Sequence, residues 1–127
     1  MHGSYPGEEE LQRRWKVSDR LCIVISSSDR QVIKTALQFA RRTVTEKFMA
    51  DTKLFLFGPS EEQVAYDIEL QDFVKRFMDA GKQVIACKWC SDNYGVSERL
   101  QGLGIEVKFV GEFVSGALKE GYTPMVW

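Results

Sequence analysis

Apolar and polar positions follow two rhythms along this chain. Leu21-Cys22-Ile23-Val24-Ile25 is an unbroken apolar run, which is how a strand covered on both faces reads. Ser26-Ser27-Ser28-Asp29 follows it and offers helix N-cap chemistry. From Asp29 to about Phe48, the residues Ile33, Ala36, Leu37, Ala40, Val44 and Phe48 keep the spacing of one buried helix face. KLFLF at 53–57 predicts a second strand, ended by Gly58-Pro59. The stretch 60–67 shows no clear period and is expected to loop over the sheet edge. Its acidic pair Glu61-Glu62 reads as solvated surface, as does Glu8-Glu9-Glu10. Leu70, Phe73, Val74, Phe77 and Met78 mark a second amphipathic helix, with Gly81 where a C′ glycine belongs. QVIAC at 83–87 predicts a third strand. Residues 88–94 start a helix, Gly95 interrupts it, 97–103 make another turn or two, and Gly104 closes the piece. IEVKFV at 105–110 predicts a fourth strand. A short helix over 111–120 would turn Phe113, Val114, Ala117 and Leu118 inward and stop at Gly121. TPMVW at 123–127 suits a fifth, edge strand, where an early proline is tolerated.

Strand–helix alternation implies parallel strands joined by right-handed crossovers. The expected fold class is therefore α/β, a three-layer α/β/α sandwich around a mostly parallel five-stranded sheet. At 127 residues the chain fits one domain, placed at 20–127. Residues 1–19 are polar and are expected to be a flexible or helical lead-in, with any helix around 11–15. Sites in such folds gather beyond the carboxyl ends of the strands. Here those loops are 26–29, 57–60, 87–93 and 110–113.

Charge and histidine count narrow the function. Seventeen Lys and Arg balance eighteen Asp and Glu, for a net charge of -1, so neither a nucleic acid nor an anionic membrane is an expected partner. No apolar run approaches the roughly 18 residues of a membrane span. The N-terminus lacks the basic-then-apolar layout of a signal peptide, and a cytoplasmic location is expected. The single histidine is His2, which disfavours Ser-His-Asp and Cys-His catalysis and His-ligated metals. Any nucleophile must be activated without imidazole.

The candidate chemistry is Cys87-Lys88-Trp89-Cys90. Cys87 falls at the end of a strand and the start of a helix, where orphan amides and the positive helix end favour a thiolate. Lys88 adds a neighbouring cation, and the two influences together are expected to lower the Cys87 pKa below that of a free thiol. Cys90, one helical turn on, is placed to resolve an oxidised Cys87, to relay a sulfur atom, or to tune the first thiol. The competing readings of the pair are a zinc half-site, which lacks a second CxxC, and two buried structural thiols. Cys22 sits mid-strand and reads as core. No cofactor and no metal is called for. Ser26 to Asp29 reads as a cap in preference to an anion site, and no Gly-rich phosphate loop is present. Phe55, Phe57, Phe73 and Phe77 fall on core positions. Trp89, Tyr122, Met125 and Trp127 have no evident core partner and are expected at a subunit interface.

KLFLFGP, then VIACKWCSDNYGV and a GIEVKFVGE-type strand, resemble the DsrE/DsrF-like proteins, small sulfur-relay proteins that include the TusD-like sulfurtransferases. The resemblance covers about 21–127. Its most telling part is a strand ending in Cys with a glycine eight residues later, Cys87 and Gly95. It implies that Cys87 carries persulfide sulfur and that Cys90 matches the second cysteine of some members. Where many members carry Arg before that glycine, this chain has Tyr94. The resemblance further implies a five-stranded parallel sheet, a homotrimer or homohexamer, and a TusA-like carrier among the sulfur-donor and acceptor proteins. A sulfur carrier or sulfurtransferase is thus the leading expectation. A CxxC dithiol oxidoreductase or peroxiredoxin-like protein, and a non-catalytic assembly subunit, are its rivals.

Overall fold

A computed structural model describes Gly7 and residues 18–127. The expected lead-in over 1–19, its helix at 11–15 and His2 lie almost wholly outside the described residues. The strands are β1 (Arg20–Ile25), β2 (Asp51–Leu56), β3 (Val84–Cys87), β4 (Glu106–Lys108) and β5 (Thr123–Val126). The helices are α1 (Arg30–Thr45), α2 (Pro59–Tyr66), α3 (Ile68–Asp79), α4 (Lys88–Tyr94), α5 (Ser97–Gly102) and α6 (Gly111–Lys119). All four strand pairings are parallel, in the order β4-β3-β2-β1-β5. β5 is an edge strand, as its proline requires. The fold is the expected α/β sandwich with helices on both faces of the sheet.

The strand period of two sorts the core into two layers. Leu21, Ile23, Ile25, Leu54, Leu56, Val84 and Ala86 face one way and pack with Ile33, Ala36, Leu37 and Ala40 of α1, Val64 of α2, Leu70, Val74 and Phe77 of α3, and Leu100 of α5. Cys22, Val24, Phe55, Ile85 and Cys87 face the other way and meet only Val110, Ala117 and Tyr122 among buried residues. Among the described residues, several helices cover one face and α6 covers the other.

Local chemistry explains most element ends. Asp29 caps α1 with its carboxylate, which accepts from the amides of Gln31 (2.8 Å) and Val32 (3.2 Å). Ser27 Oγ accepts from the Asp29 amide at 2.9 Å, so the serine run serves the turn, as the capping reading requires. Asp67 caps α3 in the same way. Gly81 closes the α3 turn at φ 88°.

Several expectations need correction. α1 stops at Thr45 and Lys47 takes φ 56°, so Phe48 swings out to solvent instead of continuing the buried face. Residues 59–66 are a helix, not a loop. Phe113 and Leu118 of α6 are exposed. A helix lying alone on a sheet buries only a narrow stripe, and here that stripe is Ala117 with Val114 half-covered. β4 keeps only three residues, and Phe109 beyond it is exposed. Tyr122 is buried, with its hydroxyl donating to Asp51, while Met125 and Trp127 pack on the larger core layer. Of the four residues expected at an interface, Trp89 alone is well exposed, at 68 %. Among the described residues no helix is long and apolar enough to cross a membrane.

Candidate active site

β3 delivers Cys87 to the carboxyl edge of the sheet, where it is the N-cap residue of α4. Its backbone is extended (φ -67°, ψ 117°) and the chain turns directly into the helix. Cys90 follows one turn later, half-buried against the smaller core layer. A small polar network holds this turn in place. Ser91 and Ser97 share a hydrogen bond of 2.7 Å, and Ser97 Oγ donates to Asp92 Oδ1 at 2.5 Å, which ties α4 to α5. Gly95 separates the two helices in the left-handed region at φ 69°, a conformation that glycine adopts without strain.

The third member of the site comes from α2. Gly58 is its N-cap, at φ 50° and ψ -131°, and Pro59 occupies the first helical position. Ser60 is buried, and its hydroxyl reaches the carbonyls of Ile25 (2.6 Å) and Phe57 (2.8 Å). The first turn of α2 is thereby locked to the ends of β1 and β2. That turn aims the next side chain, Glu61, inward at 0 % exposure. One carboxylate oxygen of Glu61 and the sulfurs of Cys87 and Cys90 all lie within 4.8 Å of one another.

Among the described residues, no charged side chain adjoins Glu61. Burial pushes its carboxyl up to about 8. The backbone amides of Cys87 and Gly58 face it and oppose that rise. Neither closes to a full hydrogen bond, so both carboxyl oxygens are buried without a partner. Cys90 is likewise pushed up, to about 11, first by burial and then by the Cys87 sulfur alongside. It keeps its proton at neutral pH and can donate it toward Cys87. Lys88 is the first residue of α4. Its ammonium pairs with Asp92 Oδ2 at 2.7 Å and lies 5.6 Å from the Phe109 ring centre. Cys22 is fully buried on the same sheet face, and burial pushes its thiol up. It is absent from the cluster.

The sequence thus placed Cys87 and Cys90 together, and the structure brings them together. It missed Glu61, which reads as surface beside Glu62. One signal was available. Gly-Pro supplies an N-cap and first helical residue, which makes Glu61 the third residue of a helix, the position of a capping-box acid. Three donors of this kind are one short of a closed tetrahedral zinc site. An open groove of about 580 Å³ lies elsewhere, near the amino ends of β2 and β3, lined by Asp51, Lys53, Phe55, Gln83, Ile85 and Phe113. It does not include the cysteine pair. Cys87 itself keeps 9 % of its surface exposed.

No family model matches the chain, nor does any curated protein. Solved structures similar in fold include three of low sequence identity. The conserved protein of unknown function BT1422 from Bacteroides thetaiotaomicron is 24% identical with a TM-score of 0.79, over 86% of this chain and 95% of that one. The protein of unknown function MTH1491 from Methanobacterium thermoautotrophicum is 17% identical with a TM-score of 0.67, over 85% and 98%. The ychN protein from E. coli is 14% identical with a TM-score of 0.64, over 85% and 99%. At these identities the likeness is one of fold.

Proposed function

We propose that the chain is a sulfur carrier or sulfurtransferase that holds sulfane sulfur on Cys87. The observation that supports this most is the gathering of Cys87, Cys90 and the buried Glu61 carboxyl within 4.8 Å at the carboxyl edge of a parallel sheet. The resemblance of 21–127 to the DsrE/DsrF-like proteins points to the same residue. In the proposed reaction the Cys87 thiolate attacks the outer sulfur of a donor persulfide. A sulfur–sulfur bond forms at Cys87, the donor's own breaks, and the donor leaves as its thiolate. No external oxidant is consumed. An acceptor thiolate then repeats the exchange in reverse, and the pKa of each leaving thiol governs the rate. Cys90, which keeps its proton, lies within 4.8 Å of the reacting sulfur and does not compete for it. A thiosulfonate is an alternative cargo. A TusA-like carrier is the candidate partner, and a trimer or hexamer the candidate assembly.

The proximity of the two thiols also favours a second reading, a dithiol oxidoreductase that closes a Cys87–Cys90 disulfide. Intact mass separates the two. Incubation with a small persulfide donor, thiosulfate or tetrathionate is expected to add the mass of at least one sulfur atom to the wild-type chain. A loss of two hydrogens with no sulfur adduct would favour the oxidoreductase.

A further inference from the structure

The least explained group in the molecule is Glu61. It is 0 % exposed, neither oxygen has a hydrogen-bond partner among the described residues, and a carboxyl oxygen lies within 4.8 Å of both sulfurs. A carboxyl left so exposed to desolvation costs stability, and an apolar residue would fill the position at no such cost. The chain also has no histidine among its described residues to move a thiol proton. We propose that Glu61 is the proton partner of Cys87: it protonates the Cys87 sulfur when that sulfur leaves, and takes the proton back when that sulfur attacks. This rests on the carrier reading and adds to it the group that moves the proton.

The steps balance. On discharge an acceptor thiolate attacks the outer sulfur of the Cys87 persulfide, the Cys87–sulfur bond breaks, and its electron pair stays on Cys87. The Glu61 carboxylic acid then gives its proton to that sulfur, leaving Cys87 as thiol and Glu61 as carboxylate. On loading, the carboxylate removes the thiol proton and the resulting thiolate attacks the donor. The separation allows transfer directly after a small side-chain adjustment or through one water, the usual reach of a proton donor before its substrate binds.

The groups facing Glu61 decide its titration. From its own helix start comes the Gly58 amide, and from β3 and α4 come the Cys87 amide and the two thiols. Among the described residues, no charged side chain contributes to its titration. Lys88 is engaged by Asp92, and the Arg99 guanidinium of α5 stacks 4.6 Å over the Tyr66 ring. Burial therefore prevails, and the acid form dominates up to about pH 8.

The test compares wild type, Glu61→Gln and Glu61→Asp, each loaded from glutathione persulfide and discharged to glutathione, from pH 6 to 9. Dividing the wild-type rate by the variant rate cancels ionisation of the acceptor. Discharge by wild type is expected to exceed Glu61→Gln by roughly 10²-fold below pH 7. That ratio should fall toward unity as pH rises through about 8. Glu61→Asp should keep a pH-dependent ratio at reduced rate, and it carries the test if the glutamine variant folds poorly. A ratio that does not vary with pH, or a Glu61→Gln rate equal to wild type, overturns the proposal while leaving Cys87 as carrier. A wild-type chain that gains no sulfur overturns both.

Discussion

A carboxyl buried without a partner is expensive, and its cost should be visible in stability as well as in rate. The folded chain keeps the Glu61 proton up to about pH 8, whereas an unfolded chain releases it near the ordinary value of 4.5. Between those values folding binds a proton. Unfolding free energy therefore falls as pH rises, by at most ~1.4 kcal/mol per pH unit. Below the window Glu61 is neutral in both states and costs little. Glu61→Gln keeps the shape and removes the charge. It is expected to be near neutral at pH 5 and to stabilise by roughly 1–3 kcal/mol at pH 8.5. Urea unfolding of the two proteins at both pH values checks this, since titrations common to both cancel. Equal differences at pH 5 and pH 8.5 would contradict the burial argument. Cys22, Cys87 and Cys90 were legible as core, strand end and next turn because strand and cap patterns fix those positions. Glu61 was not, because residue type alone argues for solvent and only the helix start ahead of it argues otherwise.

Among the elements, α2 is the one on which the site depends and the one the hydrophobic pattern concealed. Its inward residues are Ser60, Glu61, Val64 and Ala65, so half of the buried face is polar. A helix that buries a hydroxyl and a carboxyl has no apolar stripe to read. The longer helices α1 and α3 bury aliphatic and aromatic residues and were legible, except where α1 ends early at Lys47. The start of α2 hangs on Gly58, whose φ of 50° with ψ of -131° suits glycine and strains other residues. A Cβ there would meet nothing within 4 Å, so a substitution costs backbone strain and not a clash. Gly58→Ala is expected to lower stability by about 1–3 kcal/mol. It should also slow sulfur loading, because the turn it distorts aims Glu61 at the cysteines. Chemical denaturation and loading kinetics measure the two effects. A variant with unchanged stability and unchanged loading would show that the turn is not strained for alanine.

At the scale of the whole molecule, the two faces of the sheet differ, and the difference bears on assembly. Among the described residues, one face carries most of the helices, and the other carries α6 with Cys90 of α4 at its edge. On the segments that follow β3 and β4, the exposed apolar residues are Trp89, Phe109 and Phe113. Lys88 and Lys108 lie over the Phe109 and Phe113 rings, at 5.6 Å and 5.1 Å. Alternation of strands and helices made the parallel sheet legible, but it does not report how many helices each face receives. It also misassigned Tyr122, Met125 and Trp127, whose contacts come from distant parts of the chain. With Trp89 and the two phenylalanines as the contact residues, at least three chains per particle are expected in solution. Light scattering at micromolar concentration is the check, and a mass near 14.6 kDa would contradict it.

The central claim is that sulfur is carried on Cys87. Intact mass and peptide mapping of wild type, Cys87→Ser, Cys90→Ser and Cys22→Ser, each after the same persulfide donor, test it most directly. A sulfur adduct is expected on the peptide containing Cys87 in wild type, Cys90→Ser and Cys22→Ser, and none in Cys87→Ser. An adduct that persists in Cys87→Ser and vanishes in Cys90→Ser would contradict it and move the role to the second cysteine.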